Sequence, residues 1–458
     1  MFHPCSIPRL LSAAIVSLVC LVGYAPAQEP DGTDVAAVHQ WPMERVRLLD
    51  GREFFGLVRR QDKFILELVE VHRPPGKGMH LLVRPIDQDD VFLVERLDDQ
   101  ERQFLAAKID EFRERTRVMA ALLGSVRLAR LGSEERRFWR YDGPWFQLDS
   151  TADEETTRRA VVRVEQVFAG YRALLHPRRE PRTPLRIVLL GTMDEYRELA
   201  ERKLAINIKN PAFYLPNENL IIAGSDLARF SSEWKRTQKY HEQVLARQKQ
   251  RNEEVSARLA DLGRQLAEAG VPDNKRKQVL RAAQVQAADE LKRLQREVAT
   301  AERKNQTLFD ELSAAMFVRL AHESFHAYLQ NYVYDEPEHD VPRWLNEGLA
   351  QVFEAGVVEA GALRLDAPNA GALSALKADL AAGEPLSLIE LLRSPDAAFL
   401  AGHVGGVDAA NQRYFYSWGL AHYLTFEAHM LGSERLDAYV LRSSQATDPI
   451  AAFEQLVG

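Results

Sequence analysis

The stretch that decides the fold is His322-Glu323-Ser324-Phe325-His326, followed by Trp344-Leu345-Asn346-Glu347-Gly348-Leu349-Ala350. Histidines at i and i+4 share one face of a helix, a turn apart, so both imidazoles can reach a single ion. A catalytic zinc takes three protein ligands and keeps a fourth position for water. Glu347 supplies the third ligand if its segment is also helical and crosses beside the first helix. Glu323 follows the first histidine by one residue. It shares the mouth of the site without pointing at the metal, where a carboxylate can remove a proton from water.

HExxH also occurs on ordinary surface helices, so the flanks matter. Met316, Phe317, Leu320, Phe325, Tyr328 and Leu329 are apolar on the buried side. Pro337 and Pro342 lie before Glu347 and can turn the chain back. Gly348 and Ala350 are small, as close helix packing near a metal requires.

The motif pair resembles the gluzincin zinc peptidases, whose second motif reads Asn-Glu-Gly-small-Ala after Trp-Leu. The order of elements is similar to the peptidase-MA-like domains of secreted bacterial proteins, most of unknown function. It covers roughly residues 136–458, less an insertion. The resemblance implies His322, His326 and Glu347 as zinc ligands and Glu323 as general base. It also implies a zincin-like domain with a mixed sheet, an active-site helix and a helical C-terminal lobe. The family uses a downstream residue, often tyrosine, to stabilise the oxyanion. The candidate helix begins Tyr414-Phe415-Tyr416. Tyr416 is the best match and Tyr414 the alternative, with His422 and His403 behind them. The ordinary reading is that these tyrosines are core residues. Some relatives carry an acidic residue four positions after the ligand glutamate, and here that position is Gln351. Glu354, one turn later, either substitutes for it or is a solvated carboxylate.

The 458-residue chain is 46% hydrophobic and 27% charged, with a formal net charge of −7. This composition is that of an ordinary soluble globular protein and gives no support for nucleic-acid binding. Arg9 precedes an apolar run from Leu10 to Val22, and Ala25-Pro26-Ala27 offers a cleavage site. Residues 1–27 therefore read as a signal peptide, which places the chain in the periplasm or outside the cell. Cys5 and Cys20 both lie in this segment, so the mature chain is expected to be cysteine-free. No later stretch is long and apolar enough for a membrane helix.

Residues 28–98 read as a small β-barrel or sandwich, with strands near Phe54–Val58, Phe64–Val71, Met79–Val83 and Val91–Val94. No aromatic or catalytic cluster stands out there, which favours a packing module over a docking one. Residues 99–135 read as a connecting helix and 136–458 as the zinc-peptidase-like domain. Thr151-Ala152-Asp153-Glu154 and Thr192-x-x-Glu195 have the spacing of helix caps. By the resemblance, Ala212–Leu215 or Leu220–Ala223 is the sheet edge that pairs with an extended substrate. Within 228–306, Val255, Leu259, Leu262 and Leu266 form heptads. Gly270 to Asn274 breaks the run, and Leu291, Leu294 and Val298 resume it. This is an antiparallel coiled-coil insertion. Leu308, Leu312 and Ala315 carry the heptad towards His322, so the second helix is expected to run into the active-site helix. Such an arm can recruit a protein partner, dimerise, gate access, or serve only as a spacer. Residues 402–410 read as a loop.

The expectation is an α+β, secreted or periplasmic Zn2+ metallohydrolase acting on a peptide or protein substrate. One competing reading is a zinc-stabilised scaffold of the cell envelope, working through the β module and the arm. Another is an envelope protein in which HExxH is coincidental. Substrate identity and endo- or exo-action stay open.

Overall fold

A computed structural model describes residues 40–133, 137–181, 183–204, 211–335, 339–359, 362–366, 368–383, 385–399, 408–444 and 448–458. The expected signal peptide, both cysteines, Pro337 and His403 lie outside the described residues. The architecture is mixed α+β.

Strands Glu44–Leu48 (β1), Glu53–Gln61 (β2), Ile65–His72 (β3), His80–Asp87 (β4) and Val91–Glu95 (β5) form one antiparallel sheet, in the order β4-β3-β2-β1-β5. Strand residues alternate between faces. Val58, Leu66 and Leu68 pack in one core, and Leu57, Val69 and Val71 in another with Leu105 and Ile109 of helix α1, Asp99–Arg113. Phe55, Phe64 and Phe92 stay exposed, so the module carries aromatic surface that the sequence pattern did not single out. The single connecting helix expected over 99–135 is instead two helices, α1 and α2 (Arg115–Ser125). Glu114 joins them with non-helical backbone, φ −93° and ψ 12°.

The second sheet begins earlier than expected, at Ala129–Gly132 (β6). It continues with Arg137–Asp142 (β7), Phe146–Ser150 (β8), Leu185–Leu190 (β9), Ala212–Leu215 (β10) and Leu220–Gly224 (β11), in the order β10-β11-β9-β8-β7-β6. Strands β8, β9 and β11 run parallel. Helix α3, Glu154–Leu174, connects β8 to β9 and buries Val161, Val164, Phe168 and Tyr171. Its cap is Asp153, which accepts from the Thr156 N–H at 2.9 Å. The Thr151 hydroxyl donates to Glu195 at 2.7 Å instead. Helix α4 spans Met193–Leu204.

Helices α5 (Leu227–Glu268) and α6 (Asp273–Tyr328) form the hairpin, with Gly270 at φ +73° in its turn. That conformation suits glycine because it has no Cβ. At the base, Phe230, Trp234 and Phe309 pack together, and the Trp234 indole donates to Glu302 at 2.7 Å. Helix α6 has 56 residues and no break between Asn305 and Ala314. At 1.5 Å per residue it is ~84 Å long. The arm's second helix therefore does not stop at 306 but carries HExxH in its last turns.

A π-turn at Leu329–Val333 ends α6. Helix α7 (Arg343–Glu354) and the hairpin β12 (Val357–Glu359) and β13 (Ala362–Arg364) follow. Then come α8 (Ala370–Ala382), α9 (Leu388–Leu392), α10 (Asp408–His422), α11 (Glu434–Ser444) and α12 (Pro449–Val457). Helix α10 starts inside the stretch read as a loop. The hairpin locks the first module in place. The buried Arg364 guanidinium pairs with Glu359 and Asp366, each at 2.8 Å, and donates to the Pro74 carbonyl at 3.1 Å. Arg73 reaches the same Glu359 at 2.8 Å. No helix among the described residues is long and apolar enough to cross a membrane.

Candidate metal centre

The HExxH turns are held by hydrogen bonds to α3 and to the residue that caps its C-terminus. The Tyr171 hydroxyl donates to the Ala321 carbonyl at 2.8 Å, and the Tyr328 hydroxyl donates to Leu175 at 2.6 Å. Phe325 stacks on Phe353 of α7, with ring centroids 4.6 Å apart. Helix α7 lies close against α10 because Gly348 has no side chain. A Cβ there would sit 2.3 Å from the Ser417 carbonyl oxygen.

This packing brings His322, His326 and Glu347 together, all buried, with one ligand atom from each within 4.8 Å of the others. His322 Nε2 is 3.3 Å from Glu347 Oε2, and His326 Nε2 is 3.7 Å from Glu347 Oε1. Bonds of ~2.1 Å at a tetrahedral angle put ligand atoms about 3.4 Å apart, so the spacing fits zinc. The other ring nitrogens are anchored. His322 Nδ1 lies 2.8 Å from Glu354 Oε2, and His326 Nδ1 lies 2.7 Å from Asn346 Oδ1. A carboxylate only accepts, so Nδ1 of His322 carries the hydrogen and Nε2 is left to take a cation. Asn346 does the same for His326. Glu354 is thus the outer support that Gln351 is not. Gln351 donates instead to the Glu347 and Tyr414 carbonyls, at 3.2 and 3.0 Å, and ties α7 to α10.

The electrostatics divide the two histidines. Burial disfavours the His322 imidazolium, but Glu354 and Glu347 outweigh it and raise the pKa to about 10. Burial dominates at His326 and lowers it to about 3. Burial also favours the protonated form of Glu347, yet His326, His322 and Arg343 hold it well below the usual carboxylate range. Arg343 NH2 is 2.6 Å from Glu347 Oε1. Burial raises Glu323 to about 7, although the Tyr214 N–H of β10 donates to it. Of the two candidate strands, β10 is a sheet edge and β11 is not, and β10 runs beside the candidate base.

Tyr416 is not brought to this centre. Its hydroxyl donates to Asp379 of α8 at 2.8 Å. Residues two apart on a helix point about 200° apart, and the face of α10 that meets α7 carries Tyr414, Ser417 and Ala421. Tyr414 donates to the Phe399 carbonyl at 3.1 Å, and its phenol feels the charges of Glu347, Arg343 and Glu323. His422 packs between Trp418 and Phe426 with its ring tilted to both. Asn346 and Arg343 were missed in the sequence. Their signal is position alone, one residue and one turn before Glu347.

Residues 317–440 match the model of a family described as "Protein of unknown function (DUF1570)". That span contains both motifs and Tyr414. No curated protein and no solved structure matches the chain.

Proposed function

We propose that the chain is a secreted or periplasmic zinc-dependent hydrolase of the gluzincin kind, with a zincin-like catalytic domain and the peptide bond as its target. One observation carries this reading. Two imidazole Nε2 atoms and a buried carboxylate converge while both Nδ1 atoms are anchored from behind. A bound zinc would lower the pKa of water and polarise a carbonyl. Glu323, buried beside the two histidines, takes the proton from the attacking water and passes it to the leaving amine. The open edge of β10 pairs with the extended substrate backbone beside that base. Tyr414, rather than Tyr416, steadies the oxyanion that develops on the scissile carbonyl.

The test is a Glu323→Gln variant of the mature chain. It should bind one zinc per chain and lose about 10²–10⁴ in turnover on a peptide library. Unchanged turnover removes Glu323 from the mechanism. A second reading, a zinc-stabilised scaffold, draws on the long arm and on exposed Phe64 and Phe92. Full zinc occupancy without turnover of any peptide would favour it.

A further inference from the structure

Two guanidinium groups border the candidate centre, and neither has a role in the reaction outlined above. Arg343, in the first turn of α7, reaches Glu347 with one nitrogen, while its Nε is buried with no hydrogen-bond partner. Arg319 stands three residues before His322 and seven before His326, on the same face of α6. It is partly buried and makes no hydrogen bond or ion pair with the described residues. Both charges are felt at Tyr414, and that of Arg343 also at Glu323 and His326. The two cations therefore flank the site on the side of Tyr414, Arg319 from the histidine face of α6 and Arg343 from the start of α7.

A cation at this place is costly when the site holds a dication, because like charges repel strongly in a partly dry cleft. An incoming anion reverses the sign. A guanidinium fork matches a carboxylate with two parallel hydrogen bonds. We propose that Arg319 and Arg343 form a subsite for a carboxylate of the substrate, close to the scissile bond. Three residues of helix rise put Arg319 about 4.5 Å along the axis from His322, so the carboxylate lies within a few residues of the cut. The source is either an Asp or Glu side chain or a free C-terminus. This inference rests on the hydrolase reading.

The experiment uses the zinc-loaded mature chain and paired peptides: Asp against Asn at one position, and free acid against amide at the C-terminus. The carboxylate-bearing member of at least one pair should show about tenfold higher kcat/KM, through KM. Arg319→Gln should erase that preference while zinc stoichiometry and cleavage of the neutral peptides persist, and Arg319→Lys should restore part of it. Preference in the Asp pair marks a side-chain pocket, and preference in the acid pair marks a terminus. Equal cleavage within both pairs overturns the subsite and leaves the hydrolase standing. If no peptide is cleaved, the hydrolase reading fails, and calorimetry with the same peptides decides the subsite. Tighter binding of the carboxylate member, lost in Arg319→Gln, sustains it. Equal binding within both pairs overturns it.

Discussion

Gly348→Ala should loosen the candidate metal centre without touching a proposed ligand. The new methyl would lie 2.3 Å from the Ser417 carbonyl oxygen and 2.8 Å from the Ala421 Cβ. Carbon atoms settle about 3.5–4.0 Å apart, so α7 and α10 must separate by roughly 1 Å. Ser417 O is a backbone atom and has no rotamer in which to yield. Overpacking of this kind costs ~1–3 kcal/mol. Alanine returns about 1 kcal/mol as the better helix former. The net loss is then between zero and about 2 kcal/mol, a fall in Tm of at most a few degrees. The metal site should respond more sharply. Glu347 adjoins Gly348 and moves with α7, whereas ligand distances tolerate only about 0.2 Å. Zinc affinity should drop about 10–100-fold, the scale seen when outer support of a ligand is lost. Chelator competition measures the affinity and calorimetry the Tm. A raised Tm with undiminished zinc affinity would refute the close helix contact and the argument built on it.

Glu354→Ala should weaken zinc binding by about 10–100-fold, because His322 loses the acceptor that fixes its ring. Chelator competition against wild type checks this, and undiminished affinity would return Glu354 to an ordinary surface role. The pH dependence of zinc binding should show one proton released. His322 titrates near 10 and His326 near 3 in the metal-free chain, so only His322 must give up a proton between those values. Affinity should therefore rise about tenfold per pH unit from about pH 8 to about pH 9, above the titration of Glu323 and below that of His322. A flat profile above about pH 7 would mean two ordinary histidines. Tyr414→Phe should lower kcat by about 10²-fold or more with little change in KM, while Tyr416→Phe should leave kcat near wild type. The reverse ranking would restore Tyr416 as the stabiliser.

The parts of the site written at helical spacing were legible in the sequence. His322 and His326 fall on one face by arithmetic, and Gly348 announces a close approach. The heptad from Leu308 to Ala315 led without interruption into HExxH, and α6 is continuous there. What depends on how two elements meet was not legible. On paper Tyr416 is the better match and Tyr414 the alternative, and the preference for Tyr414 comes from the packing of α10 on α7 alone. Arg343 and Asn346 act through the turn that folds α7 back on α6, which no local pattern encodes. The split of the connector at Glu114 has no proline or glycine to mark it. Strands β6 and β7 are short and bury no residue fully, so no clear apolar–polar alternation marks them.

The joined base of the α5–α6 hairpin bears on how the chain folds. Roughly 80 residues separate Leu227 from Phe309, and closing a flexible loop of that length costs ~4 kcal/mol of chain entropy. The hairpin avoids most of that cost, because its pairing is local and can zip from the Gly270 turn down to Phe230 and Phe309. Once zipped, the strand β11 and the turns that bear the histidines are neighbours, as if a short link joined them. The long insertion then leaves the order in which the sheet and the HExxH turns assemble nearly what it would be without the arm.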